Sequence, residues 1–307
     1  MKRINDKVVI AVDHGFGNIK TANFVIPTGV VEYDDRPEMG GSVLCYSDRY
    51  YVIGEGHKEF TPDKMQDMDY YILTLAAIAR ELHKEGMTSA KVHLAAGLPL
   101  TWVTQQKAEF RQYLLQNDTV DYTYKGVAYH IAFIGADVFP QGFAAVADRL
   151  SNYKGMNMLC DIGNGTMNVM YINDKRPVTS KCFTDKFGTH LCTLAVRENI
   201  MRAHHTDIDE SVINRVLRFG TADIDEEYLV TIRKTAEEYV RGVFRNLREH
   251  GYDPKQMKLY IVGGGGCLVR NFGDYDSRKV TIIDDICATA KGYEHLAAMN
   301  IRKAEAR

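Results

Sequence analysis

The feature that most constrains this chain is a short motif that occurs twice, with roughly half of the 307 residues between the two copies. The first copy is VVIAVDHGFGNIK and the second is MNMLCDIGNGTMN. Each is an apolar run typical of a buried strand, followed by Asp-x-Gly-x-Gly, a polar residue and another strand. Repetition at this spacing predicts two similar domains, each with one copy of the motif.

The residue types in the motif suit a site for phosphate groups. Paired glycines let the backbone turn sharply and bring N–H groups close to phosphate oxygens. Asp13 and Asp161 each end an apolar strand, where a carboxylate is costly unless it faces a hydrated Mg²⁺. Two such turns would hold a polyphosphate from both sides. The alternative is that both are ordinary hairpin turns, which the repetition disfavours.

Other nucleotide signatures are missing from the sequence. There is no GxxxxGK[ST], which excludes a P-loop protein. Four glycines, Gly263–Gly266, follow the strand-like LYIV, but the next residues do not complete GxGxxG, so a dinucleotide fold is disfavoured. A glycine run at this place suits close approach of the backbone to a flat base and its ribose.

Composition narrows the class of protein further. Charged residues make up 25% of the chain and the formal net charge is −2, so no basic surplus supports direct binding to DNA. Apolar runs such as LTLAAIA are too short for a membrane span, and the N-terminal apolar run is too short for a signal peptide. Six cysteines without a CxxC pair predict reduced thiols in a cytoplasmic protein. His204 and His205, near Asp207 and Asp209, are interpreted as a polar helix end rather than a metal site.

Periodicity predicts an α/β class with mixed sheets. Strands are expected at Val8–Val12, Ile19–Ile26, Lys91–Ala96, Met156–Asp161 and Lys258–Val262. Helices are expected around Ile72–Leu82, Thr104–Gln116, Gln141–Leu150, Thr189–His204, Leu229–Leu247 and Asp285–Met299.

Five segments together resemble the ATPase superfamily of actin, sugar kinases and heat-shock chaperones. DHGFGNIK and DIGNGTMN resemble its two phosphate loops, YIVGGGGCL its adenosine loop, and FPQGFAAVA and DDICATAKG its two connecting helices. Within the superfamily the chain looks most like the bacterial ParM-type actins that segregate plasmids. The resemblance implies an actin-like two-domain α/β fold, each domain a mixed sheet with helices, with a nucleotide cleft between them. Residues 1–138 with 284–307 would form domain I and residues 139–283 domain II.

The resemblance also implies roles for individual residues. Asp13 and Asp161 would hold Mg²⁺ through water, and Lys20 would reach the β-phosphate. Gln141 and Asp161 would be catalytic, with Gln141 orienting the attacking water. The remaining nucleotide-binding positions are Gly15, Phe16, Gly17 and Asn18 in the first loop, Gly163, Asn164, Gly165 and Thr166 in the second, and Gly263, Gly264, Gly265 and Gly266 at adenine and ribose.

The sequence departs from the family pattern at two positions. Phe16 stands where many members have the Ser or Thr that contacts the γ-phosphate, and Asn164 replaces an Asp of eukaryotic actin. Two of the assigned side chains also have plainer interpretations, Lys20 as a surface lysine on a strand and Gln141 as an ordinary helix N-terminal residue.

The resemblance implies a nucleotide-driven, filament-forming ATPase that uses ATP or GTP with Mg²⁺. Plasmid DNA would be attached through a DNA-binding adaptor protein, without tight direct binding to DNA and without a membrane. One alternative is a small-molecule kinase of the same superfamily, although the zinc-type cysteine cluster of its short members is missing. Another is a cell-shape or division actin, although neither end of the sequence carries an amphipathic membrane-binding segment.

Overall fold

The computed structural model describes residues 1–38, 41–56, 64–65, 67–147, 149 and 153–306. The chain divides into two compact units, Met1–Asp148 with Cys287–Arg307 (unit 1) and Arg149–Ile286 (unit 2). Each unit has its own β-sheet, helices and apolar core. The mixed α/β class predicted from the sequence is therefore confirmed.

The chain begins with a run of strands, after which helices and strands are interspersed. The strands are β1 (Lys2–Ile4), β2 (Lys7–His14), β3 (Asn18–Lys20), β4 (Val25–Pro27), β5 (Val30–Tyr33), β6 (Val43–Tyr46), β7 (Arg49–Ile53), β8 (Ser89–Leu98), β9 (Thr119–Tyr124), β10 (Val127–Pro140), β11 (Met156–Ile162), β12 (Met167–Asn173), β13 (Arg176–Pro177), β14 (Phe183–Asp185), β15 (Lys258–Val262) and β16 (Val280–Ile282). The helices are α1 (Asp69–Lys84), α2 (Leu100–Leu114), α3 (Thr189–His204), α4 (Glu210–Phe219), α5 (Glu226–Glu249), α6 (Gly266–Phe272) and α7 (Ala288–Glu305).

In unit 1 the strands lie in the order β4-β3-β2-β8-β10-β9-β6-β7-β5, with β1 on β2. Strands β2, β8 and β10 are parallel to one another. The apolar run of β2 is buried on both faces: Ile10 and Val12 belong to the larger apolar cluster, whereas Val9 and Ala11 pack in a second cluster with residues of α7. Burial on both faces explains why this strand is continuously apolar rather than alternating.

In unit 2 the strands lie in the order β13-β12-β11-β15-β16, with β14 on β12. Strand β11 pairs antiparallel with β12 and parallel with β15. Strand β2 has the same surroundings in unit 1, an antiparallel partner in β3 and a parallel partner in β8. The repeat seen in the sequence is thus also a repeat of local topology.

Two predicted elements differ from the structure. The strand expected over Ile19–Ile26 is two strands, β3 and β4, because Thr21 and Phe24 close a turn with a backbone hydrogen bond of 2.9 Å. The helix expected over Gln141–Leu150 is replaced by the end of β10 and a 3₁₀ helix, Phe143–Val146, which follows Gly142 with φ at 79°. Leu150 itself lies outside the described residues.

Small residues allow the 3₁₀ helix and α7 to pack closely within unit 1. A Cβ added at Gly292 would lie 1.9 Å from the carbonyl oxygen of Ala144, so no larger residue fits there. All six cysteines are free thiols, and Cys160, Cys192 and Cys287 are buried. Across the described ranges, no helix combines the length and the apolar character needed to cross a membrane.

Candidate functional site

The carboxylate of Asp13 lies at the carboxyl end of β2 and is only 5% exposed. Lys20 is its cross-strand neighbour on β3, and the Lys20 ammonium lies 3.4 Å from Asp13 Oδ2. The side-chain amide of Gln141 donates to Asp13 Oδ1 at 3.1 Å. Lys20 and Gln141, which the resemblance assigned to the same site as Asp13, therefore both contact its carboxylate.

The topology of the sheet in unit 1 explains why the side chains of Asp13 and Gln141 come together. Because β2, β8 and β10 are parallel, their carboxyl ends lie at the same edge, which is where ligand sites of α/β sheets form. The backbone N–H of Gln141, directly after β10, donates to the carbonyl of Leu98 at the end of β8 at 2.8 Å. A carboxylate can only accept, so the amide nitrogen of Gln141 must face Asp13, and its amide oxygen is left as the acceptor for another group.

Backbone contacts hold the first loop in shape. A Cβ at Gly15 would lie 2.5 Å from the carbonyl oxygen of Asn18, which explains the glycine. Thr28 holds the loop through two hydrogen bonds. Its hydroxyl donates to the Gly15 carbonyl at 2.8 Å, and its N–H donates to the Gly17 carbonyl at 3.1 Å. Thr28 was not assigned from the sequence, because it belongs to no motif.

A buried lysine also contacts the first loop and was not foreseen. Lys64 is 1% exposed, its ammonium donates to the carbonyl of His14, and it lies 5.4 Å from the centre of the Phe16 ring. Burial lowers the pKa of Lys64 to about 8, against the opposing effect of the Asp13 carboxylate. The surrounding sequence is polar and gives no signal that this lysine is buried.

The second loop follows β11, where Asp161 is half-buried and pairs with Asn168 across the hairpin. The N–H of Gly163 donates to the carbonyl of Thr166 at 2.8 Å and closes the turn. The carbonyl of Asn164 accepts from the N–H of His190, in the first turn of α3, at 3.0 Å. Gly188, just before α3, allows this contact, because a Cβ there would lie 2.1 Å from the Asn164 oxygen.

The four-glycine run lies against the second loop within unit 2. Gly263, at φ 84°, follows β15, and a Cβ there would lie 2.4 Å from Asp161 Oδ1. Gly265 donates its N–H to the Ile162 carbonyl at 2.9 Å and would clash with the Ile162 side chain if it carried a Cβ. A Cβ at Gly264 would meet nothing within 4 Å. Gly263 and Gly265 are thus required by packing, whereas Gly264 presents bare backbone to open space.

The last histidine of α3 and the acidic residues that follow the helix have structural partners. His204 forms a 2.9 Å hydrogen bond with Thr231 and contacts the ring of Tyr228 edge-on. Asp207 pairs with Arg197 at 3.0 Å, and Asp209 caps the N-terminus of α4 through the N–H of Ser211. These partners support the interpretation of this segment as a polar helix end.

Two models of known protein families match the sequence of this chain. The N-terminal domain of actin-like proteins matches residues 11–143, and the C-terminal domain of the archaeal actin homologue, MreB-like, matches residues 159–272. Together they cover most of the sequence in the family's order, and the chain belongs to the actin-like proteins. No curated protein sequence matches it.

Solved structures agree with the family assignment. The fold is similar to that of apo ParM of pSK41, with a TM-score of 0.75 and 19% identity over 98% of this chain and 100% of that one. The archaeal actin homologue Ta0583 in complex with ADP gives a TM-score of 0.73 at 18% identity, over 95% and 99% of the two chains. A 15-stranded ParM filament from Clostridium botulinum gives 0.72 at 18%, over 96% and 99%. At these identities the likeness establishes the actin-like fold, in agreement with the resemblance of the five sequence segments to this superfamily.

Proposed function

We propose that this chain is an actin-like nucleotidase whose filaments assemble with ATP or GTP and Mg²⁺ and become labile after hydrolysis. The observation that carries the proposal is the repeated loop, in which an aspartate ends a central strand and the following glycines are held by backbone contacts. An actin homologue of the same fold has been solved with ADP, and other neighbours are described as filaments. Asp13 and Asp161 would hold Mg²⁺ through water, and the metal would neutralise phosphate charge when bound.

The glycines and Gln141 have separate tasks in this proposal. The N–H groups of Gly15 and Gly163 close their own turns, on the carbonyls of Asp13 and Thr166. Backbone N–H groups of Gly17 and of Asn164–Thr166 bind phosphate oxygens, and the open backbone at Gly264 lies on the base and ribose side. Gln141 keeps its amide nitrogen on Asp13, so its amide oxygen is free to accept a hydrogen bond from water and orient it for attack.

The deciding experiment measures hydrolysis of ATP and GTP together with light scattering over a range of protein concentrations, with Mg²⁺ and with a chelator. Phosphate release that is slow below a critical concentration and faster above it, only with Mg²⁺, is the expected result. Turnover strictly proportional to protein at every concentration would contradict coupling to assembly.

Two variants link that activity to the second loop. Asp161→Ala should lower hydrolysis by about a hundredfold or more while the protein stays folded. Asp223→Ala, at an exposed loop position of the same unit, is the matched control and should leave the rate unchanged. An unchanged rate in Asp161→Ala would remove this carboxylate from the site.

We further propose plasmid DNA as cargo, attached through a basic adaptor protein that binds the filament in one nucleotide state. Because the chain has a net charge of −2, we expect it to make few contacts with DNA phosphates and to release few counterions on binding. A gel-shift titration of the purified chain at moderate salt should show no tight retention of DNA. Submicromolar, sequence-specific binding without a partner would overturn the adaptor model.

A further inference from the structure

The buried ammonium of Lys64 has more hydrogen-bond donors than its described contacts use. Its ammonium carries three N–H donors, and the carbonyl of His14 is its one hydrogen-bond acceptor within the described ranges of the chain. The rings of Phe16 and Tyr70 lie 5.4 Å and 5.7 Å from it, and an aromatic face attracts a cation without accepting all of its protons. A lysine this deeply buried is costly unless something pairs with it.

The carboxylate of Asp13 does not by itself satisfy the charge and the donors of Lys64. Asp13 attracts the Lys64 ammonium electrostatically, but its two oxygens already contact Lys20 and Gln141. Lys64 forms no hydrogen bond with Asp13 among the contacts that the structure describes.

His14 cannot compensate the positive charge of Lys64, because a histidine side chain is either neutral or cationic. The hydroxyl of Thr74 donates to the Tyr70 carbonyl at 2.6 Å, so it must accept from His14 Nε2, which lies 2.7 Å away. That contact places a proton on Nε2, so the His14 side chain offers no negative charge to the Lys64 ammonium.

The side chains of the turn Gly15–Gly17 cannot donate hydrogen bonds to phosphate. Gly15 and Gly17 have none, and Phe16 is apolar, so side-chain donors must come from outside the three-residue turn. Lys64 supplies such a donor, and the Phe16 ring lies beneath its ammonium. Phe16 therefore acts as a support for the lysine rather than as a ligand for phosphate.

We propose that Lys64, which contacts the first loop, binds phosphate there and distinguishes a nucleoside triphosphate from a diphosphate. The inference rests on the proposed nucleotide-binding function. The terminal phosphate adds negative charge and acceptor oxygens, and a buried ammonium with unused donors gains most from such a group.

The test compares Lys64→Met, which keeps length and bulk without charge, with Lys64→Arg, which keeps the charge. The control is Lys125→Met, because Lys125 also lies over an aromatic ring but is exposed on the β9–β10 turn. Dissociation constants for MgATP, MgADP, MgGTP and MgGDP are measured by titration calorimetry on the purified full chain, with thermal unfolding recorded for each variant. Lys64→Gln replaces Lys64→Met if the latter does not fold.

Lys64→Met should weaken triphosphate binding by about tenfold or more and diphosphate binding by less than about threefold. Lys64→Arg should preserve most of the preference, and the control should match the wild type. Equal weakening of both nucleotides, or no weakening, would overturn the role of Lys64. A wild-type protein that binds none of the nucleotides would instead refute the proposed function, so the two failures are distinguishable.

Discussion

In unit 1 the carboxylate of Asp13 is buried and touches the side chains of Lys20 and Gln141, with the Lys64 ammonium nearby. In unit 2 the carboxylate of Asp161 is half-buried and lies against the backbone position of Gly263. Charged and polar side chains surround the aspartate of the first loop, and close backbone packing shapes the second loop. The two copies of the motif thus differ in the burial and the surroundings of their aspartates.

The largest difference should appear when each aspartate loses its charge. Asp13→Asn leaves Lys20 and Lys64 facing a neutral amide in a buried place, and we expect the free energy of unfolding of unit 1 to fall by about 3–5 kcal/mol. Asp161→Asn should lower that of unit 2 by less, because Asp161 is only half-buried and the cost of neutralising a carboxylate's partners grows with burial. Urea unfolding without nucleotide measures both, with fluorescence of the single tryptophan, Trp102, reporting unit 1 and circular dichroism the whole chain.

Equal losses in the two variants would break the comparison between the loops. A loss confined to Asp161→Asn would reverse it and place the charge-dependent loop in unit 2.

Backbone packing around the second loop is tested at the glycine run. Gly263→Ala combines a positive φ with a Cβ 2.4 Å from Asp161 Oδ1, and we expect a loss of about 2–4 kcal/mol in unit 2. Gly264→Ala is the matched control one residue on, where the added Cβ meets nothing within 4 Å, and should change stability by about 0.5 kcal/mol or less. The circular dichroism transition should shift in Gly263→Ala while the Trp102 transition keeps its midpoint. Similar behaviour of the two variants would show that the contact with Asp161 is unimportant.

The polar contact of the first loop is tested at Gln141. Gln141→Ala removes the donor to Asp13 and the amide oxygen proposed to orient water, so hydrolysis should fall by about a hundredfold, which is about 2.7 kcal/mol in the barrier. Nucleotide binding and assembly should persist, with longer-lived filaments. Exposed Gln112, on α2, gives the control variant Gln112→Ala. Filaments of Gln141→Ala that disassemble at the normal rate would assign water orientation to another residue.

The sequence displays the repeated motif and predicted the strands that carry it, and the resemblance placed Lys20 and Gln141 at the same site as Asp13. Helix α3 and strand β15 begin and end where periodicity and glycines placed them, because their apolar pattern and end signals agree. Helix α4 was missed although Asp209 caps it and Gly220 ends it, since its ten residues give only a short apolar stripe.

Other features depend on tertiary contacts that one sequence does not display. Gln141 was expected at the start of a helix, but β10 extends to Pro140 because it pairs with β8 along its length. Lys64 is buried by Tyr70, Phe16 and the first loop, although lysine in a polar stretch is typical of a surface. The reason for Gly188 also lies in a contact distant in sequence, the carbonyl of Asn164.

The smallest expected effect compares the first glycine of each loop. A Cβ at Gly15 would lie 2.5 Å from the carbonyl oxygen of Asn18, whose strand is held in a ladder by its pairing with β4. At Gly163 the corresponding distance, to the Thr166 carbonyl oxygen, is 3.4 Å, an ordinary contact. The loops are alike in sequence at these positions, so the difference isolates the local fit of each turn.

Gly15→Ala should therefore lower the free energy of unfolding of unit 1 by about 1–3 kcal/mol, because the anchored backbone of β3 must shift. Gly163→Ala should leave unit 2 unchanged or stabilise it by up to about 1 kcal/mol, since alanine has less backbone freedom than glycine in the unfolded chain. Both variants are measured by urea unfolding without nucleotide, and then for MgATP affinity. A stable Gly163→Ala that has lost affinity would indicate that this glycine is needed for approach of the ligand rather than for the turn. Destabilisation of both variants to the same extent would mean that the second loop is as tightly constrained as the first.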